Sequence, residues 1–285
     1  MWVFKKVADL QAFIEKQRLL KKEIGFVPTM GALHNGHISL INRCKSTATL
    51  TVCSIFVNPT QFNDKNDLAK YPRTIANDIV LLTTAGCDVL FLPDVEEIYP
   101  MPSTKQYNIG SLDKLLEGSF RPGHFQGVCQ VVDRLFDIVN PIHVFFGQKD
   151  YQQCMVINRL IEITPQFHHI KMHIVPTLRE ETGLAMSSRN MLLSLEERST
   201  ATVIYKTLLY IKNNLKDGNL SALQREATIK ISGAGLQPEY VSIANAQTLE
   251  PVLFWDGKTV LVALVAAYLG KIRLIDNLII TDWES

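Results

Sequence analysis

Net charge is almost absent from this sequence: 29 Lys+Arg stand against 28 Asp+Glu, a formal charge of +1 in 285 residues. That balance excludes the broad basic face of a nucleic-acid-binding chain, leaves room for a local basic cleft, and points to small substrates. Cysteine is sparse. Cys44, Cys53, Cys87, Cys129 and Cys154 are odd in number and form no CxxC pair, which excludes a disulfide framework and reads as free thiols in a reducing compartment. Long apolar runs are also missing: the longest, Val260 to Leu269, is too short to span a bilayer as a helix. The opening MWVFKKVADLQAF lacks the basic region and unbroken apolar core of a signal peptide, so a cytosolic location is expected. No internal repeat and no low-complexity tract is visible.

What is present is ordinary globular composition, 47% hydrophobic and 20% charged, in a chain long enough to bury a core without staples. Val7, Leu10, Phe13, Ile14 and Leu20 recur at helical steps within residues 3–20. Ile24 to Val27 follows as a consecutive apolar run, the pattern of a parallel strand covered on both faces. Ile38, Ile41, Cys44 and Ala48 then resume helical spacing. Further strands are expected at Leu50 to Val57, Asp88 to Leu92, Val144 to Phe146 and Ile170 to Val175. Helices should cover Thr74 to Ala85 and the stretch from Phe125 to Val139. Between Pro93 and Gly123 the sequence reads as a long irregular connection with one short helical segment at Leu112 to Glu117. After Pro176 the pattern changes to helices across Leu195 to Leu215 and Ser221 to Ile231, and strands near Tyr240 to Ile243, Thr259 to Leu269 and Ile272 to Ile275. The expected fold is therefore α/β: a Rossmann-like parallel sheet over residues 1–176, then a smaller α+β C-terminal domain over 177–285.

Chemistry concentrates in IGFVPTMGALHNGH, Ile24 to His37, where the first buried strand stops at a Gly-punctuated turn carrying two histidines. His34 and His37 lie three residues apart at a helix start, so both project from one face beside backbone N–H groups without helical partners. Helix N-termini attract phosphate, and Gly31 and Gly36 permit close approach. A zinc reading lacks a third ligand at useful spacing. FFGQKDYQQ, Phe145 to Gln153, again follows an apolar strand. Lys149 is a point charge for phosphate, and Asp150 suits either a helix cap or an acceptor for ribose hydroxyls. GLAMSSRN, Gly183 to Asn190, combines hydroxyls with a guanidinium; it suits a phosphate clamp or a capped turn with a solvated Arg. FRPGHF offers Arg121 and His124 at what is otherwise a plain turn, and Asn58 and Gln61 lie in NPTQF at a strand's carboxyl end.

PTMGALHNGH, FGQKDYQQ and MSSRN, in this order and with IFVNPTQF, YPRT and RPGHFQGV between them, make the chain resemble the pantothenate synthetases, the pantoate–β-alanine ligases of the HxGH nucleotidyltransferase superfamily. The resemblance is strong from Ile24 to Asn190 and weaker beyond, where PEYVSIANAQTLEP has the family look. It implies a two-step reaction in which pantoate attacks the α-phosphate of ATP to give pantoyl adenylate, and β-alanine then displaces AMP. It further implies that ATP is held by Met30, Gly31, Ala32, Leu33, His34, Asn35, Gly36 and His37, by Gly147, Gln148, Lys149 and Asp150, and by Leu178, Met186, Ser187, Ser188 and Arg189. His34, His37, Lys149 and Arg189 would carry the catalytic charge, with His37 as proton donor. Gln61 and Gln153 would hold pantoate, Gln61 also the β-alanine, with Asn58 and Arg121 as further contacts. Mg²⁺ would travel with ATP, held by no dedicated protein cage. The C-terminal domain would act as a lid hinged near Pro176 to Gly183, and the chain would be a homodimer without nucleic-acid or membrane partners. Two positions depart from the family: Gln148, where FGEKD has Glu, and Asn245, where Asp is common.

Two other functions share parts of this pattern. A nucleotidyltransferase that leaves the nucleotide on its product uses the same HxGH and Ser-rich loop, and is told apart by a stable nucleotidylated product. A silent nucleotide-binding module needs the Gly turn but not His34, His37, Lys149 and Gln153 together. A tRNA synthetase is disfavoured by near-neutral charge and the short chain after MSSRN.

Overall fold

A computed structural model describes residues 1–63, 65–101 and 105–281. The chain divides into two compact units, Met1–Gly147 with Gln153–Pro176, and Gln148–Gln152 with Thr177–Ser285.

The first unit is built on six strands: β1 (Trp2–Phe4), β2 (Ile24–Thr29), β3 (Leu50–Ile55), β4 (Val89–Phe91), β5 (His143–Gly147) and β6 (Lys171–Val175). Their order is β1-β4-β3-β2-β5-β6, and every adjacent pair is parallel. Runs such as LTVCSI form β3 because a central parallel strand has no solvated face, and all six of its residues are buried. Between strands, helices Asn35–Lys45, Ile75–Ala85 and His124–Val139 pack their apolar faces on the sheet. Leu40, Ile41 and Cys44 join Val27, Cys53, Leu82, Leu90 and Phe145 in one cluster, each fully buried aliphatic contributing about 1.5–3 kcal/mol. All five cysteines are buried, and burial pushes the Cys44 thiol up to about 11.

The order places β3 and β5 on opposite sides of β2, so the chain reverses its direction of growth there. In such sheets the crevice outside the carboxyl ends at this switch point receives ligands. β2 ends in the Met30–His37 turn, and β5 ends at Gly147.

In the second unit, β7 (Gly218–Asn219) pairs with β9 (Phe254–Trp255), while β8 (Gln237–Asn245), β10 (Leu261–Leu269) and β11 (Ile272–Ile279) form an antiparallel sheet in the order β11-β10-β8. Ile204, Leu208 and Ile211 of helix Val203–Asn213 and Ala227 and Ile231 of helix Ser221–Gly233 pack with Val241, Ile243, Ala263 and Val265 of the sheet.

Several elements differ from the sequence expectation. β1 was unforeseen, because a three-residue strand whose Trp2 and Val3 are exposed has no periodic signal. Leu195 to Leu215 is two helices, Leu195–Ala201 and Val203–Asn213, meeting at Thr202. The Pro93 to Gly123 connection holds short turns of helix at Val95–Ile98, Gly110–Asp113 and Glu117–Phe120, and residues 102–104 of it lie outside the described residues. Gln148–Gln152 groups with the second unit because Asn277 Nδ2 donates to the carbonyls of Gln148 (2.9 Å) and Lys149 (2.8 Å), and Tyr151 Oη donates to the carbonyl of Ala246.

Candidate active site

In the first unit the turn after β2 is held from several sides. Gly31 has φ +80°, and a Cβ there would come within 2.9 Å of Ile55 Cγ2, so only glycine fits. Ala32 follows at φ +50°, which costs a non-glycine residue on the order of 1 kcal/mol. The carboxylate of Asp78, wholly buried, accepts from Ala32 N (3.0 Å) and Leu33 N (2.9 Å). Gly31 N donates to Thr29 Oγ1 at 3.2 Å.

His34 caps helix Asn35–Lys45 and His37 closes the cap reciprocally. His34 Nδ1 accepts from Gly36 N at 3.1 Å, and His37 Nδ1 accepts from His34 N at 3.3 Å. A backbone N–H can only donate, so both Nδ1 atoms are acceptors, and in the neutral rings the hydrogen resides on Nε2. The ring centroids are 4.1 Å apart. The sequence pattern suggested that bare backbone N–H groups would bind an anion. In the structure those of Gly31, Ala32, Leu33, His34 and Gly36 already have acceptors, and the two neutral rings add imidazole Nε2–H groups to the donors of this turn.

A polar network adjoins it. Asn58, Gln61, Arg121 and Met30, all singled out in the sequence, are linked: Asn58 Nδ2 donates to Gln61 Oε1 (3.1 Å), and Gln61 Nε2 contacts Met30 Sδ (3.1 Å). His124 Nδ1 donates to the Gln61 carbonyl at 2.8 Å, which leaves Nε2 to accept from Arg121 Nη1 at 3.3 Å. Asn58 Nδ2 also donates to the carbonyl of Gly127 (3.1 Å). A Cβ on Gly127 would lie 2.3 Å from Thr60 O and 2.7 Å from Gln61 N, so glycine alone lets helix His124–Val139 approach the Pro59–Gln61 turn. Tyr99 Oη donates to Asn58 Oδ1 (3.0 Å), and burial pushes its phenol above the usual range. Gln153 is half-buried on the first turn of helix Tyr151–Ile163.

The second unit holds the other sequence candidates. Lys149 Nζ lies 3.9 Å from Asp150 Oδ1, and the backbone of Gln148 and Lys149 is bracketed by buried Asn277. Gln148 Nε2 donates to Asn277 Oδ1 at 3.4 Å, a contact a carboxylate could not make as donor. Leu178 is exposed and its carbonyl accepts from Met186 N, closing a short hairpin whose Arg179 makes a bidentate pair with Asp276 (2.6 and 3.1 Å) and stacks over Tyr205 at 3.8 Å. Burial raises the Asp276 carboxyl, and Arg179 opposes that shift. Ser187 caps the turn Ser188–Leu192 by accepting from Arg189 N, while buried Asn190 donates to Glu180 Oε1 and the Ala185 carbonyl. Asn245 Oδ1 accepts from Gln247 N and Thr248 N, a turn role that Asn and Asp fill equally.

Asp78, Tyr99, Gly127 and Asn277 were not foreseen as site residues. Asp78 and Asn277 each left a trace, a polar group inside an apolar stretch (IANDIVLL and RLIDNLII). Tyr99 left none that separates it from an ordinary loop residue, and Gly127 stands in the RPGHFQGV motif with nothing local to mark its packing role.

A parallel sheet with a histidine-capped turn at its switch point defines a nucleotide-type α/β enzyme fold with a separate antiparallel unit. The pantoate-beta-alanine ligase family model matches residues 2–279, and the chain belongs to that family of enzymes. The pantothenate synthetase of Bacteroides thetaiotaomicron is 46% identical over 281 residues, covering 98% of each chain. That of Phocaeicola vulgatus is 44% identical over 279 residues, covering 98% of this chain and 99% of its own. Among solved structures, the pantothenate synthetase of Thermus thermophilus superposes with a TM-score of 0.90 at 39% identity over 99% of this chain and all of its own. The Francisella tularensis ligase, crystallised with beta-gamma ATP and beta-alanine, gives 0.81 at 37% identity over 98% of each.

Proposed function

We propose that this chain condenses pantoate with β-alanine through a pantoyl-adenylate intermediate. In the first step a pantoate carboxylate oxygen bonds to the α-phosphorus of ATP and the bond to pyrophosphate breaks. In the second, the β-alanine nitrogen bonds to the acyl carbon, AMP leaves with the carboxylate oxygen, and the amine loses a proton to solvent or base. The observation that carries this reading is the reciprocal His34–His37 cap at the carboxyl end of β2, in a chain matching the family over residues 2–279. Two Nε2–H donors on one rigid turn meet the requirement of the first step, where an anion attacks an anion and negative charge builds on the phosphates.

ATP is assigned to Met30–His37, Gly147–Asp150, Leu178 and Met186–Arg189, with His34, His37, Lys149 and Arg189 balancing phosphate charge and His37 as proton donor. Pantoate is assigned to Gln61 and Gln153, and β-alanine to Gln61. The bonds from Asn58 and His124 that fix Gln61, and the Arg121–His124 contact, support Asn58 and Arg121 as parts of the same pocket. Mg²⁺ is assigned to enter with the substrate as Mg·ATP, because magnesium binds phosphate oxygens and keeps several of its waters. The C-terminal unit is assigned the lid role, the oligomer is a homodimer, and the location is the cytoplasm; among the described residues no helix is long and apolar enough to cross a membrane.

The test is exchange of labelled pyrophosphate into ATP. Exchange that requires pantoate but not β-alanine supports the adenylate step. A stable nucleotidylated product, or exchange indifferent to pantoate, overturns it.

A further inference from the structure

Asp78 lies on helix Ile75–Ala85, far in sequence from the histidine turn, yet its carboxylate is wholly buried against it. Oδ2 accepts from Ala32 N at 3.0 Å, and Oδ1 accepts both from Leu33 N at 2.9 Å and from Thr74 Oγ1 at 3.0 Å. The two turn bonds hold successive peptides, one of them at Ala32 with φ +50°, a backbone region that an alanine does not hold by its own preference. Immediately after Leu33 comes His34, the helix cap whose Nδ1 is committed to Gly36 N. A buried carboxylate meeting three donors is satisfied only with the turn in this conformation, because loss of either turn bond leaves a buried charge under-partnered.

We propose that Asp78 is a positioning residue for the His34–His37 pair: its carboxylate locks the Gly31–Leu33 turn so that both imidazoles keep Nδ1 on backbone N–H groups and Nε2–H as the donor toward phosphate. Asp78 thereby makes the Ala32 and Leu33 peptides a scaffold for the two imidazole donors. The inference rests on the ligase reading for its kinetic readout only.

The variant is Asp78→Asn in the full chain. The amide preserves size but turns one acceptor oxygen into an N–H₂ group facing a backbone N–H donor. With fold checked by circular dichroism, kcat for AMP formation falls by about tenfold or more, the usual scale for misplacing a charge-stabilising donor, while KM for pantoate moves less than about threefold. Independently of turnover, two-dimensional ¹H–¹⁵N spectra of the imidazoles report a single Nε2–H tautomer for His34 and His37 in the wild type and tautomer averaging in the variant. Should Asp78→Asn not fold, Thr74→Val withdraws one donor from Oδ1 and lowers kcat by about threefold, while Thr74→Ser retains it. Folded Asp78→Asn with wild-type kcat and unchanged imidazole signals overturns the proposal, as does unchanged turnover in Thr74→Val when that variant is the deciding one. Absence of AMP formation in the wild type refutes the ligase reading instead, and leaves the tautomer measurement to decide the role of Asp78.

Discussion

Asp276→Ala provides a severe test of how the second unit is held together. Asp276 is 4% exposed and Arg179 15%, and the two are joined by bonds of 2.6 and 3.1 Å. Asp276 Oδ1 also accepts from Asn277 N at 2.8 Å, so the carboxylate ties the Arg179 hairpin to β11. Removing one member of a buried ion pair costs about 3–5 kcal/mol because the other charge stays behind; partial exposure of Arg179 places this case near ~3 kcal/mol. With an m-value of about 2 kcal/mol per molar urea, the unfolding midpoint drops by roughly 1.5 M. Asp276→Asn, which keeps an acceptor but loses the charge, should cost about half as much. Replacing both partners by leucine removes the stranded charge, so the double variant should be more stable than Asp276→Ala. The assay is urea denaturation followed by circular dichroism, with hydrogen exchange of the Leu261–Ile279 segment assigning the loss to this unit. A midpoint within roughly 0.3 M of wild type for Asp276→Ala would refute the reasoning, since m-values of this size could not hide a multi-kcal change.

Three further outcomes follow from other parts of the molecule. His34→Ala and His37→Ala each lower kcat by about 10² to 10³ without unfolding the chain, the usual cost of one transition-state donor; wild-type turnover in both would remove them from the phosphate site. Gly127→Ala forces a Cβ to within 2.3 Å of Thr60 O, so it should destabilise the first unit by about 1–3 kcal/mol and raise KM for pantoate more than KM for ATP, checked by steady-state kinetics. Burial first, then the His143 ring whose Nδ1 lies 3.0 Å from His173 Nε2, hold the His173 imidazole below its ordinary value of 6.5. The unfolded chain therefore binds more protons here, and stability falls as pH drops through 6.5 towards the lower folded value; His173→Gln should flatten that part of a stability–pH curve.

Much of the fold was legible because its signals are local. Apolar runs announced the buried parallel strands β2, β3 and β5, and the edge strand β6, buried only at Val175, also falls within a residue of its expected place. The helical spacing of Ile38, Ile41, Cys44 and Ala48 announced a helix whose N-terminus lies at or just after His34 to His37, and it begins at Asn35. Motif spacing along the chain carried the family, which the matches over nearly its whole length bear out.

Tertiary structure decided what depends on residues distant in sequence. The bond from Ala32 N to Asp78 spans 46 positions, that from Asn58 to the Gly127 carbonyl 69, and that from Asn277 to the Gln148 carbonyl 129. No local propensity registers such pairs, because each residue alone reads as a helix aspartate, a helix glycine or a strand asparagine. Sequence alone thus determined that a histidine-bearing turn follows a buried strand. Only the packed structure determined that the N–H groups of Ala32, Leu33, His34 and Gly36 are already committed, because a buried carboxylate and the histidines' own Nδ1 atoms accept from them, which puts the hydrogen of each neutral ring on Nε2 as a donor for chemistry.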